Sequence, residues 1–175
     1  MASIMLDLES LDNTPTSVIT QIGAVSFTKD GIIKRLQIYV DPESCQERGL
    51  TISASTVLWW LKQSDAARKH FETKGDRLAM ALTKCTQFFN AELDKDGSVW
   101  GNGSDFDNAI LRNAYKAVGT EEPWKFWQNA CYRTIKSSLK QIPCDPFGTA
   151  HVAVDDAEKQ ARHLIKIAQM TGLPV

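Results

Sequence analysis

The tripeptide Asp7-Leu8-Glu9 sets two carboxylates two residues apart at the end of the apolar stretch Ser3-Ile4-Met5-Leu6. In a strand, residues i and i+2 share a face, so both acids project together from an element that otherwise reads as core. Neighbouring like charges are costly to bury, and a divalent cation is the cheapest compensation. An edge strand with its polar face in water would carry the same tripeptide, so partners elsewhere in the chain decide between the two readings. Two other acidic stretches qualify as partners. In Asn102-Gly103-Ser104-Asp105-Phe106-Asp107, Ser104 or Asp105 is expected to cap a helix whose first turn favours acids, which leaves Asp107 as the metal-site candidate. In His151-Val152-Ala153-Val154-Asp155-Asp156, Asp155 with Glu158 fits a D-x-x-E capping signature, so His151 and Asp156 are the residues that capping leaves unexplained.

The elements that must position these residues follow an α/β pattern. After the first strand, Val18 to Phe27 and Ile32 to Val40 read as two more strands joined by the turn Lys29-Asp30-Gly31, an antiparallel three-strand meander. From Ser53 the pattern turns helical, with Val57, Leu58 and Leu61 on one face, another turn at Ser64-Asp65, and a longer helix through Leu78, Leu82, Cys85, Phe88 and Phe89. Ser98-Val99-Trp100 reads as a short strand, and Phe106, Ile110, Leu111, Ala114 and Val118 as a helix closed by Gly119. A strand at Gln128 to Cys131, a helix from Arg133 to Gln141, a loop at Pro143 to Gly148 and a last helix from about Asp156 to Thr171 complete the chain. The expected architecture is one domain over residues 1–175, a mixed central sheet combining the meander with parallel strands and flanked by helices.

Composition narrows the function classes. At 175 residues and 43% hydrophobic, the chain can bury a core without disulfide or metal staples. Cys45, Cys85, Cys131 and Cys144 lack zinc-type spacing and no leader-like segment opens the sequence, so reduced thiols in a cytoplasmic setting are expected. No apolar run reaches the roughly 20 residues of a membrane span. A net charge of −1 argues against a broad basic face that coats duplex nucleic acid, while a short single strand held in a groove stays compatible.

Taken in order, Asp7-x-Glu9, Asn102 with Phe106-Asp107, and His151-x-Ala153-x-x-Asp156-Ala157 resemble the three exonuclease motifs of the DEDDh (DnaQ-like) family, within the ribonuclease H-like superfamily. The stretch from Met5 to Glu9 and on through Val18-Ile19 to Ile22-Gly23-Ala24-Val25 is similar to phage and bacterial members. Trp59-Trp60 with Gln63-Ser64, and Cys131-Tyr132-Arg133-Thr134, are most similar to the small 3'-5' exoribonuclease-like group that includes phage exonuclease A proteins.

The resemblance implies a ribonuclease H-like fold and a 3'-5' exonuclease releasing nucleoside 5'-monophosphates from single-stranded ends, with RNA preferred and DNA open. Two ions about 3.5–4 Å apart, Mg²⁺ or in its place Mn²⁺, would serve phosphodiester cleavage. Asp7 would bridge both, Glu9 and Asp156 would complete the site that activates water, and Asp107 would support the second ion partly through water. His151 is then the general base, since an imidazole with an ordinary pKa of about 6.5 takes a proton near neutral pH. His70, among charged neighbours, reads as surface, and His163 lacks an acidic companion. Substrate contacts are expected at Ser10 and Leu11, for the terminal sugar and base, and at Trp59 or Trp60, one facing inward and the other more exposed for stacking. Arg133, Lys136 and Lys140, or Arg112 with Lys116, would contact phosphates if they border the groove. A homodimer is compatible with the family. A non-catalytic nucleic-acid-binding domain of the same fold and another two-metal nucleotide phosphohydrolase are the competing functions.

Overall fold

A computed structural model of the chain describes residues 1–103 and 105–175, so Ser104, one of the two expected helix caps, lies outside the described residues. Five strands form one mixed sheet in the order β3-β2-β1-β4-β5. They are β1 Ser3–Ser10, β2 Ile19–Thr28, β3 Gly31–Tyr39, β4 Val99–Gly101 and β5 Asn129–Cys131. The first three make the antiparallel meander, and β4 and β5 add to the other side of β1 in parallel. Because β1 is central and covered on both faces, its eight residues are all buried, which excludes the edge-strand reading of Asp7 and Glu9.

The pleat of β1 sorts its side chains. Ile4, Leu6 and Leu8 pack into a core with α4 Leu78–Glu92 and α5 Asp107–Val118, through Leu78, Leu82, Phe89, Ile110 and Leu111. Met5 points the other way, into a second core with Tyr132 of α6 Tyr132–Ser138 and Ala157, Ala161, Leu164 and Ile165 of α7 Ala153–Thr171. Asp7 and Glu9 continue the Met5 face, so they emerge beneath the first turns of α7.

That close approach depends on Gly23. It pairs with Asp7 across β1 and β2, and a Cβ there would strike the backbone of Ala153 and Val154. Two glutamines inside the sheet also hold the start of α7. Gln37 Oε1 accepts from Val154 N at 2.9 Å, Gln37 Nε2 donates to Gln21 Oε1 at 2.9 Å, and Gln21 Oε1 accepts from Ala153 N at 3.3 Å.

Several expected boundaries move. α7 begins at Ala153 rather than Asp156, with Val152 at its N-cap and no side-chain cap. Asp155 is therefore not a cap: it accepts from Thr149 N at 2.9 Å and pairs with Arg35 at 2.8 Å, while Glu158 is spent on Arg35 and Arg162. α5 likewise starts from Phe106, and Asp105 does not cap it. α6 stops at Ser138 instead of Gln141, because a turn closing Ile142 N onto Leu139 O takes over ahead of Pro143. The short helices α1 Pro42–Gln46, α2 Ala54–Trp60 and α3 Asp65–Arg68 bridge the meander to α4. Among the described residues, no helix is long and apolar enough to cross a membrane.

Gly23→Ala is expected to push α7 off β2. Overpacking of this kind costs about 1–3 kcal/mol. A lowered urea midpoint with an unchanged m-value checks the stability loss.

Candidate active site

The carboxyl-terminal end of β1 opens into a cleft of about 280 Å³ lined by Asp7, Leu8, Glu9, Asn102, Phe106, Asp107, Arg133, His151, Asp156 and Gln160. Each acid arrives from a different local device. Asp7 and Glu9 come from the pleat of the central strand. Asp107 is the first residue of α5, reached through Gly101, where a Cβ would strike Asn108 Oδ1. Asp156 sits in the first turn of α7, and His151 precedes that helix with φ of 64°, a left-handed conformation uncommon outside glycine.

Hydrogen bonds orient these groups without neutralising them. Asp107 is almost wholly buried at 2% exposure and accepts from Leu8 N at 3.1 Å and Asn102 N at 2.8 Å. Gln160 Nε2 donates to Asp7 Oδ1 at 2.7 Å, leaving Gln160 Oε1 buried with no donor among the described residues. His151 N donates to Asp156 Oδ2 at 2.7 Å. Ligating atoms of Glu9, His151 and Asp156 all lie within 4.8 Å of one another.

The uncompensated charge shows in the acidities. Burial, then Asp107, Glu9 and Asp156, hold the Asp7 carboxyl well above its ordinary value against the Gln160 hydrogen bond. Burial, then Asp156 and Asp107, push Glu9 up to about 8. Asp107 is raised to about 6 by burial, with its backbone hydrogen bonds and the Arg133 guanidinium pulling the other way. A cluster of buried hard oxygen donors whose charge the protein leaves largely unbalanced suits a hard divalent cation.

The wall beyond Glu9 is aromatic and apolar. Trp60 is buried at 3% exposure, with Nε1 donating to Ser10 O at 2.9 Å, whereas Trp59 is 43% exposed. Both rings meet His151 edge to face, with centroids 5.0 Å away for Trp59 and 6.0 Å for Trp60. Leu11 and Trp60 also line a pocket of about 560 Å³ with Val57, Leu61 and Phe71. Thus the apolar face of α2 lines an open pocket, and Leu58 and Leu61 are exposed. The Ser10 hydroxyl turns inward to Asp12 O at 2.8 Å.

The structure therefore gathers Asp7, Glu9, Asp107, His151 and Asp156 in one cleft, with Leu11, Trp59 and Trp60 beside it. His70 and His163 are not surface residues. They are 8% and 3% exposed, His70 Nδ1 bonds Ala67 O at 2.8 Å, and His163 bridges the Tyr132 hydroxyl and Ile142 O. Gln160, which sequence reasoning passed over, falls one helical turn after Asp156, and that i,i+4 spacing would have placed it on the same face. Gln21 and Gln37 show themselves only as polar residues inside strands.

This architecture is that of the DEDDh exonucleases. The chain superposes on the nuclease domain of 3'hExo, a DEDDh family member solved bound to rAMP, with a TM-score of 0.66 and 16% identity over 97% of this chain and 92% of that one. Exonuclease X, solved in complex with 5' overhanging duplex DNA, gives a TM-score of 0.61 and 15% identity over 97% and 93%. In sequence, the chain is 25% identical over 195 residues to the exodeoxyribonuclease of Enterobacteria phage T4, covering 91% of this chain and 86% of that protein. Residues 2–168 match the 3'-5' exoribonuclease Rv2179c-like domain. The chain belongs to this Rv2179c-like family of 3'-5' exonucleases, and it is a nuclease of the hydrolase class.

The raised acidities set a pH dependence for the metal-free protein. Between the ordinary carboxyl range and about 8 for Glu9, the folded state holds protons that the unfolded chain releases, so stability falls as pH rises through that window. In chelator, melting temperature is expected to drop between roughly pH 5 and pH 8, with an added divalent cation restoring more at the alkaline end. Glu9→Gln should flatten that slope, and thermal melts across the range would reveal an unaltered one.

Proposed function

We propose that this protein is a metal-dependent 3'-5' exonuclease acting on single-stranded 3' ends, with RNA its preferred polymer and nucleoside 5'-monophosphates its products. The observation that carries the reading is the convergence of Asp7, Glu9, Asp107, Asp156 and His151 on one cleft at the end of the central strand. In support of RNA stands the exoribonuclease description of the family; the exodeoxyribonuclease of phage T4 keeps DNA as the comparison substrate.

In this reading Asp7, Glu9, Asp107 and Asp156 would hold two Mg²⁺ ions. When bound, the ions supply charge neutralisation at the scissile phosphate and lower the pKa of water. The protein's own groups then have separate tasks. His151 takes the proton from the attacking water, and its main-chain N–H on Asp156 ties the base to the acid beside it. Gln160 fixes the Asp7 carboxylate at one oxygen, leaving the other free to coordinate. Trp59 and Trp60 restrict the His151 ring, and Trp59 keeps enough exposure to stack on a base. Leu11, in the apolar pocket with Trp60, is positioned to receive the terminal base.

The test is end-labelled single-stranded RNA and DNA incubated with Mg²⁺, Mn²⁺ or chelator. Stepwise shortening from the 3' end, faster on RNA and abolished by chelator, is expected. Turnover that survives chelation, or internal fragments as first products, would refute the proposal. Asp7→Ala should remove activity while the fold is kept, as judged by circular dichroism. His151→Ala should lower kcat by about 10²–10⁴-fold, the usual contribution of general-base catalysis, with cation binding retained by calorimetry.

A further inference from the structure

We infer that α6 and the turn behind it form a phosphate track, carrying the single strand on the 5' side of the scissile bond away from the cleft. This rests on the exonuclease reading above and adds to it where the body of the polymer lies.

The first observation is charge segregation. In a chain with a net charge of −1, no carboxylate occurs between Glu122 and Asp145, while Lys125, Arg133, Lys136 and Lys140 all fall in that interval. The second is where the series begins. Arg133 lines the cleft with the acids, its guanidinium is the cation acting on Asp107, and a Cβ at Gly103 would lie 3.7 Å from its Cζ. One turn on, Lys136 shares a pocket of about 220 Å³ with Lys140, Ser137, Ile142, Pro143, Cys144 and His163. The basic series therefore starts at the cleft with Arg133 and continues along α6 and the turn behind it.

The third observation is the lack of ion pairs, Lys136 having only the Tyr132 ring beneath its ammonium at 5.9 Å from the centroid. Arg133, Lys136 and Lys140 make no ion pair among the described residues. In the rival basic set, Arg112 is tied to Glu122 at 2.7 Å, which leaves Lys116 as its one cation without an ion pair among the described residues. Asp145, the first acid after the track, is taken by Lys166 at 3.0 Å. Unpaired cations along one path favour a polyanion over a protein face, where charges of both signs would be expected. At about 1.5 Å per residue, Arg133 to Ser138 spans roughly 7.5 Å, and Lys140 lies two residues past the end of α6. A stacked strand advances about 3.4 Å per nucleotide, so α6 serves about two phosphates beyond the cleaved one.

The test compares wild type with the Lys136→Gln/Lys140→Gln double variant on a dinucleotide and on a single strand of about ten nucleotides, within the usual range of single-strand site sizes. Expected are unchanged kinetics on the dinucleotide and, on the longer strand, a KM raised roughly tenfold at unchanged kcat. Binding of the longer strand to chelated protein, followed by fluorescence anisotropy, should show the slope of log Kd against log salt reduced by about 1.4, some 0.7 per lost phosphate contact. Equal KM and equal slope for the two proteins would overturn the track. So would a matching loss on the dinucleotide, which would report damage to the cleft. If wild type cleaves neither substrate, the exonuclease reading fails by itself, and the anisotropy slopes still decide whether α6 holds the strand.

Discussion

Four carboxylates at one end of a buried central strand repel one another and resist desolvation, and the rest of the molecule is arranged around that cost. Neutral donors supply most of the protein's answer: Leu8 N and Asn102 N on Asp107, Gln160 Nε2 on Asp7, and His151 N on Asp156. Such donors fix each carboxylate in direction, but they leave its charge in place. Arg133 is the one cation lining the cleft among the described residues, and it acts on Asp107 at the rim. The remaining imbalance is what a divalent ion would remove, so the tension that destabilises the metal-free protein is the same property that would make it bind metal.

Holding the acids this close constrains the scaffold. Asp7 and Glu9 need a strand buried on both faces, which the parallel addition of β4 and β5 beside the meander provides. Asp156 needs the start of α7 pressed onto β2, which only a residue without a side chain at position 23 permits. The glutamine pair Gln21 and Gln37 then supplies the hydrogen bonds that the first peptide groups of α7 would otherwise lack, in place of a capping side chain. The two flanks of the cleft differ in kind, apolar and aromatic beside His151, cationic beside Asp107.

Local patterns made much of this legible in advance. The meander, α4, α5 and α7 carry period-2 or period-3.6 apolar spacing, and Asp7-x-Glu9, Asp107, His151 and Asp156 keep their order and surroundings along the chain. What escaped depends on partners distant in sequence. His70 reads as surface until Trp60 and Phe71 close around it, and His163 shows no partner along the chain until Tyr132 and Ile142 bond it. Asp155 matches a capping pattern, yet Arg35 of β3, 120 positions away, claims it. Val57, Leu58 and Leu61 form an apolar face by spacing, yet Val57 and Leu61 line a pocket and Leu58 is exposed, which spacing cannot tell from a face turned to the core.

His151 shows how these pieces meet at one residue. A non-glycine residue at φ of 64° stores strain, of order 1–3 kcal/mol for such conformations, and persists only where its surroundings over-determine it. Here they do. Its N–H is held by Asp156, its carbonyl accepts from Gln21 Nε2 at 3.4 Å, and its ring is flanked by Trp59 and Trp60. Each restraint belongs to a different part of the fold: α7, β2 and α2. Trp60 is itself anchored to Ser10 O, one residue after Glu9. The imidazole is therefore positioned relative to the acids by contacts that run back to the central strand, so its geometry and theirs are set by the same framework.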